Sequence, residues 1–407
     1  MKNAQNDGVG PNGEAAKEAA PQGSAGEVFA AFLKLGFTAF GGPVAHLGYF
    51  RDEFVQRRRW FSDGAYGELV ALCQFLPGPA SSQVGFAIGL SRAGFLGALA
   101  AWTAFTLPSA IALVLFAFGV AGFTDGIGAD IVAGLKIAAV AVVAQALLGM
   151  ARSLAPDAER AAIAAAVIAI LAILPGSLGQ IAAILAGGVA GLALLKPSAA
   201  PSETGLRFSI GRITSITCLT AFAALLVLLP LLALGERSVL DFLDGVYRSG
   251  ALVFGGGHVV LPLLQAETVS PGYMSETTFL AGYGAAQAVP GPLFTFAAYL
   301  GAVAGGLPLA LGALIAVFLP GMLLLVGVLP FWAKLSSLPH LRSALSGTNA
   351  AVVGVLAAAF YEPVFVSGIK DLNDFALASA AFVALVVWKA PPWAVVLLAG
   401  LGGLLVA

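Results

Sequence analysis

The residues that could do chemistry in this chain gather at four glycine and proline interruptions of apolar sequence. Phe40-Gly41-Gly42-Pro43 and Pro77-Gly78-Pro79 form one pair. Phe254-Gly255-Gly256-Gly257 and Pro290-Gly291-Pro292 repeat it about 213 residues later. Such breaks stop a helix, so new helices are expected to start just after them, near Val44, Ala80, His258 and Leu293. A helix N-terminus presents unpaired N–H groups and the positive end of the macrodipole, which suits an anion. Ser81 and Ser82 open the first helix after a Pro-Gly-Pro, and Thr295, aligned with Ser82, lies in the first turn of the second. Their hydroxyls can cap those helices or donate to a substrate oxygen.

Other polar residues accompany the breaks. Lys34 stands six residues before Phe40, and Arg248 six before Phe254. A charge at the centre of a membrane helix costs roughly 2.5–3.5 kcal/mol, so two matched cations are candidates to neutralise a divalent anion; the alternative is that both snorkel to the interface. Gln74 and Gln287 stand three residues before each Pro-Gly-Pro, placed to satisfy freed backbone or to donate to an oxyanion. His46 and His258 follow the two Gly-Gly breaks two positions out of register, and Glu68 has no acidic counterpart in the second copy. His46, His258 and Glu68 are candidates for proton coupling, and His258 also for substrate contact, against a plain packing or hydrogen-bonding role for the histidines. Lys136, aligned with Asn349, reads as an interfacial anchor, and Arg57 to Arg59 read as topology determinants.

The elements that carry these residues are membrane helices. The chain is 59% hydrophobic and 10% charged, where soluble domains carry about 25% charged residues. Runs such as 95–121, 131–151, 213–234 and 307–333 approach or exceed the roughly 20 residues that cross a bilayer. The fold class expected is an all-α polytopic membrane protein. A net charge of −1 gives no basic footprint for nucleic acid. Cys73 and Cys218 are far apart and make no metal motif. No Lys follows a Gly, so a phosphate-binding GK[ST] loop is absent, and no cofactor motif is found. Residues 1–26 read as a disordered cytoplasmic tail.

The repetition extends beyond the breaks. Ser62-Asp63 falls on Ser275-Glu276, Leu107-Pro108 on Leu319-Pro320, and Gly134 on Gly347. Two repeats, 27–195 and 241–407, are joined by 196–240, which holds one further apolar run. Loop charge inverts between them. Loop 51–60 carries Arg51 and Arg57 to Arg59, whereas its partner 265–276 has Glu267 and Glu276 and no base. Loop 122–130 has Asp125 and Asp130, whereas 334–346 has Lys334, His340 and Arg342. Cytoplasmic loops are enriched in Lys and Arg, so the repeats are expected to sit upside down relative to each other, as in secondary transporters. The two halves of 63–92 are about a dozen residues each, roughly 18–20 Å long, short of the ~30 Å hydrocarbon core. Re-entrant pairs are therefore expected, with the N-terminus cytoplasmic and the C-terminus external. If the Pro-Gly-Pro pairs instead cross fully, the number of crossings rises with unchanged parity.

These motifs resemble the chromate ion transporter family in its long two-domain form. The resemblance rests on FTAFGGPVAH at 37–46, RRRWFSD at 57–63, QFLPGP at 74–79, VFGGGHVVLPLL at 253–264 and QAVPGP at 287–292, and covers both repeats. It implies a plasma-membrane carrier that exports chromate, confers chromate resistance and is sensitive to sulfate. Gly257 stands where the first copy has Pro43, so the two breaks need not share one geometry. Uptake or exchange of sulfate, a membrane-embedded enzyme and a passive anion channel remain alternative readings. The inversion has a direct test: Arg57→Cys and Glu267→Cys should react with a membrane-impermeant thiol reagent from opposite faces, and same-side labelling would refute it.

Overall fold

Inside a bilayer each backbone N–H and C=O must be paired within the protein, which drives an apolar chain to helix. The computed structural model describes residues 23–120, 127–196, 208, 210–233, 238–254 and 257–406, and every regular element among them is helical. The first repeat comprises α1 (Ala25–Thr38), α2 (Gly42–Arg51), α3 (Asp63–Phe75), α4 (Ala80–Val120), α5 (Ile127–Leu154), α6 (Ala158–Ile173) and α7 (Ser177–Leu194). A single helix, α8 (Arg212–Leu232), follows. The second repeat comprises α9 (Val239–Leu252), α10 (Val260–Thr268), α11 (Glu276–Ala288), α12 (Phe296–Val328), the short α13 (Trp332–Ser336), α14 (Pro339–Ala359), the short α15 (Val366–Gly368), α16 (Leu372–Val386) and α17 (Pro392–Val406).

Helix starts repeat because their caps repeat. Ser24, Ser62 and Asp157 accept first-turn N–H groups of α1, α3 and α6. Ser238, Ser275 and Asp371 do the same at matched positions for α9, α11 and α16. Each such cap stabilises by ~1 kcal/mol.

α4 spans 41 residues, which as one straight rod would reach about 60 Å, twice the hydrocarbon core. It is instead a hairpin. Ala93 and Gly94 leave helical geometry, Gly94 at φ +64°, and the limbs touch so closely that a Cβ on Gly89 would collide with the Gly97 carbonyl. α12 folds back in the same way at Gly305-Gly306.

At 14, 10 and 13 residues, α1, α2 and α3 are each too short to cross. The second limb of α4, then α5, α6, α7 and α8, lie between the two sets of half-helices. Taken as one crossing each, with α6 at 16 residues near the lower length limit, they make an odd number, which fits a second repeat inverted relative to the first. Among the described residues, six helices are long and apolar enough to cross, including those within 128–154, 177–194, 212–232 and 339–368. This is a multi-pass membrane protein.

The repeats are interlaced rather than side by side. Gly134 of α5 lies against Ala399 and Gly400 of α17, and Gly187 and Gly191 of α7 lie against Gly347 of α14. Each repeat's last helix thus packs on the other repeat's fifth element or its counterpart. A Cβ at Gly134 or Gly347 would collide with the facing backbone, the close approach by which small residues hold membrane helices together.

On the expected cytoplasmic loop, a six-residue π-turn (Asp52–Arg57) continues α2. Glu53 is buried there and accepts from Arg57 at 2.8 Å and Arg58 at 2.6 Å. Arg58 and Arg92 also reach Glu27 at 3.5 and 3.2 Å and flank the Trp60 ring. The network ties the start of α1 to the turn and to the α4 hairpin. Burial pushes the Glu53 carboxyl pKa up, but hydrogen bonds and charge from Arg58 and Arg57 outweigh that and hold it below the ordinary carboxylate value. A depressed folded-state pKa contributes stability that is complete above the unfolded value and fades as pH falls through the folded one. Glu53→Gln should therefore lower the melting temperature of the purified protein at pH 7, with the deficit shrinking below about pH 4. A deficit independent of pH would show that the charge is irrelevant.

Candidate functional site

α1 ends at Thr38, and the chain reverses through Phe40 and Gly41. Gly41 and Gly42 take φ of +99° and +76°, open to glycine and strained for other residues. α2 then starts with Pro43 in its first turn, where the missing N–H costs nothing. In the second repeat, Gly255 and Gly256 lie outside the described residues. The helix resumes as a 3₁₀ turn, Gly257–Val259, that runs into α10. The unequal sequences have a packing reason. A Cβ on Gly257 would stand 3.0 Å from Cγ of Pro43, so the two breaks meet face to face and the proline ring fills the space beside the bare glycine.

The Pro-Gly-Pro turns are held by the opposite repeat. The Gly78 N–H donates to the Val253 carbonyl at 2.7 Å, and the Gly291 N–H donates to the Ala39 carbonyl at 2.9 Å. Ala39 and Val253 are matched residues at the ends of α1 and α9. Gly78 has φ +120° and Gly291 φ +95°. A Cβ on Gly78 would lie 2.9 Å from the Gly321 Cα, and one on Gly291 would lie 3.0 Å from both the Phe105 carbonyl and Ser109 Oγ. Pro79 and Pro292 are buried, while Pro77 and Pro290 are half-buried.

Side chains extend this frame. His46 is buried, with Nε2 3.2 Å from the Ala39 carbonyl and Nδ1 3.3 Å from Ser81 Oγ. A carbonyl only accepts, so in the neutral ring Nε2–H donates to Ala39 and the Ser81 hydroxyl donates to Nδ1. His258 lies differently: its Nδ1 pairs with the Tyr283 hydroxyl at 2.8 Å, and its Nε2 is 4.0 Å from where a Cβ on Gly42 would be. It therefore looks across from one break to the other. Thr295 is buried and donates to the Pro292 carbonyl at 2.7 Å. Ser82, aligned with it, is buried with its Oγ unpaired among the described residues, as is Gln287 Nε2.

The structure thus brings Gly41, Gly42, His46, Ser81, Ser82, His258, Gln287, Thr295 and both Pro-Gly-Pro turns into one central region. Lys34 does not join them by its packing; it is on the exposed side of α1. Arg248 is held by Asp244 at 2.9 Å and Glu267 at 3.1 Å, so its charge is matched within the second repeat. Gln74 is exposed on α3, and Glu68 is half-buried on the same helix.

Two residues that repetition does not single out also belong here. Gln83 is fully buried, and its amide donates to Pro77 at 3.1 Å and Gly321 at 2.9 Å, bracing the first Pro-Gly-Pro turn. Thr106 is buried on α4 with its Oγ unpaired among the described residues. Their matched positions hold Phe296 and Phe318, so a search for repeated polar residues passes over them. A lone amide in an apolar helix was the available signal.

Broken helices meeting at the centre of two inverted, interlaced repeats define a membrane transporter of the inverted-repeat class. The profile of the chromate transporter family matches residues 26–192 and again 240–404, and the chain belongs to that family. Its relatives include the chromate transport protein of Pseudomonas aeruginosa, 29% identical over 93% of this chain and 92% of its own. The probable chromate transport protein of Synechococcus elongatus is 28% identical over 88% of each chain. The chromate transport protein of Cupriavidus metallidurans is 27% identical over 86% of this chain and 84% of its own. No solved structure matches the chain.

If the crossed bonds hold the turns, Gly78→Ala and Gly291→Ala should each destabilise by about 1–3 kcal/mol from backbone strain alone. The check is a melting curve of each purified variant; an unchanged melting temperature in both would remove the turns from the structural core.

Proposed function

We propose that the chain is a secondary transporter that carries chromate outward across the plasma membrane and so confers chromate resistance. The observation that carries this reading is the set of donors at the centre. Ser82 Oγ, in the first turn of α4, and Gln287 Nε2, three residues before the second Pro-Gly-Pro turn, are buried donors that have no partner among the described residues. Leaving a buried donor unmatched costs about 1–3 kcal/mol, and a tetrahedral oxyanion offers acceptors to several donors at once. Arg248 is already matched by two carboxylates, so in this reading dipoles and neutral donors provide most of the binding, with Lys34 left to attract the anion. The related proteins named above as chromate transport proteins support the choice of chromate.

Outward movement is the favourable direction electrically. Two negative charges leaving a cell at −100 mV release about 4.6 kcal/mol, so export can run on the potential or with a proton in return. His258, placed between the two breaks, is the better positioned of the two histidines to carry that proton, since both ring nitrogens of His46 are committed. Alternating access follows if one repeat rocks against the other around the paired breaks. Sulfate, a dianion of the same shape, is the expected competitor. The N-terminus lies in the cytoplasm and the C-terminus outside.

Labelled chromate should accumulate in everted membrane vesicles holding the protein, be driven by a lumen-positive potential, and be displaced by sulfate. Absence of protein-dependent chromate flux would overturn the reading. Ser82→Ala should cut flux at low chromate about tenfold or more, since a hydrogen bond to a charged group contributes about 1.5–3 kcal/mol. Thr295→Ala, whose hydroxyl is satisfied by its own turn, should lose less. Equal losses would show that the two repeats bind alike.

A further inference from the structure

A cavity of about 580 Å³ lies between the α6–α7 turn, α10 and the π-turn (Phe360–Phe365) that continues α14. α6 and α7 belong to the first repeat, α10 and α14 to the second, so the cavity spans the seam between them. Its volume is within the range of small-molecule sites, about 300–1,000 Å³. Ile168 of α6 lines it and is 41% exposed, which in a membrane helix means exposed to lipid. Tyr361 also lines it and is 67% exposed. Tyrosine is enriched where a membrane helix meets the headgroups. The cavity therefore opens sideways to lipid at headgroup level.

Three polar features stand in the otherwise mainly apolar walls. Gln180 is 9% exposed and donates through Nε2 to the Pro262 carbonyl at 3.1 Å. A carbonyl only accepts, so that bond fixes the orientation of the amide. The atom left over is the acceptor Oε1, buried and without a partner among the described residues. Such an acceptor is costly until an N–H or O–H donor matches it. Glu362 is the one charged side chain among the lining residues, and it forms no ion pair among the described residues. Gly176, the N-cap of α7, brings no side-chain cap. The first-turn N–H groups of that 18-residue helix open there, with the positive end of its dipole.

Together these features define a ligand. Two acceptors, Gln180 Oε1 and the Glu362 carboxylate, call for an ammonium that still carries N–H. The start of α7 calls for an anionic group beside it. The lipid-facing wall calls for an apolar body. With no Lys or Arg in the lining, a headgroup of net negative charge has nothing to answer it.

We propose that this cavity binds phosphatidylethanolamine, with the ammonium between Gln180 and Glu362, the phosphate at the start of α7 and an acyl chain along Ile168 and Leu171. The lipid then bridges the two repeats at their seam. The site is separate from the central one and depends on no assignment of the transported substrate.

The purified full-length chain, delipidated in detergent, is titrated with short-chain phosphatidylethanolamine, phosphatidylglycerol and phosphatidylcholine. The tightest-bound lipid per chain is read by native mass spectrometry. Phosphatidylethanolamine should bind about fivefold or more tightly than either of the others. Phosphatidylcholine separates charge from hydrogen bonding, because its quaternary ammonium has no N–H to give Gln180. Glu362→Gln, an exposed change, should weaken phosphatidylethanolamine about threefold or more and leave phosphatidylglycerol no weaker. Gln180→Met should erase the preference for phosphatidylethanolamine over phosphatidylcholine. Phosphatidylethanolamine should also raise the melting temperature of the wild-type chain, since it binds only the folded state, and raise it less in Glu362→Gln. Equal binding of the three lipids overturns the proposal, as does tighter binding of phosphatidylglycerol. If Gln180→Met does not purify, unchanged phosphatidylethanolamine binding in Glu362→Gln overturns it alone.

Discussion

Two backbone hydrogen bonds, Gly78 N–H to Val253 and Gly291 N–H to Ala39, organise the centre of this protein. A broken helix inside a membrane leaves donors and acceptors that lipid cannot satisfy. Each repeat breaks its first helix pair and its second, and each Pro-Gly-Pro turn takes a backbone partner from the other repeat. The carbonyl freed at the end of α1 receives its partner from the second repeat's Pro-Gly-Pro turn, and the carbonyl at the end of α9 receives its partner from the first repeat's. The Gly134–α17 and Gly347–α7 contacts repeat this exchange at the periphery. The two repeats of sequence are therefore not two units of folding: each supplies what the other's interruptions lack.

Much of this was legible from the chain. Glycine, proline and capping residues act on their own neighbourhood, so the breaks, the helix starts at Ala80 and after Gly257, and the two-copy pattern could be read directly. Loop charges gave the inversion, and the count of crossings through α8 agrees with it. The crossed hydrogen bonds were not legible, because backbone N–H and carbonyl groups carry no residue signature. Gln83 and Thr106 were missed for a different reason: matched positions hold phenylalanine, and repetition was the filter.

Lys34 and Arg248 show where symmetry in sequence misleads. They occupy matched positions, but their surroundings diverge. Arg248 has Asp244 one turn before it on α9 and Glu267 on α10. Glu267 is matched by Glu53, which has its own arginines, Arg57 and Arg58, on the loop. Both repeats thus keep a carboxylate at the end of the second half-helix and neutralise it with a guanidinium, drawn from the helix in one copy and from the loop in the other. Lys34 is left over by that difference, with no ion pair among the described residues.

The same divergence bears on how an inverted pair can present unequal sites to the two faces. Two identical halves related by a two-fold would offer identical sites and equal barriers at the two faces. Here His46 pairs with Ser81 and Ala39 while His258 pairs with Tyr283, Ser82 Oγ has no partner among the described residues while Thr295 is satisfied, and Pro43 faces Gly257. The Ser82–Thr295 and Pro43–Gly257 differences sit at matched positions, so they alter one half without disturbing the backbone frame the two share. Symmetric hinges with asymmetric donors allow two similar shapes that bind one ligand unequally.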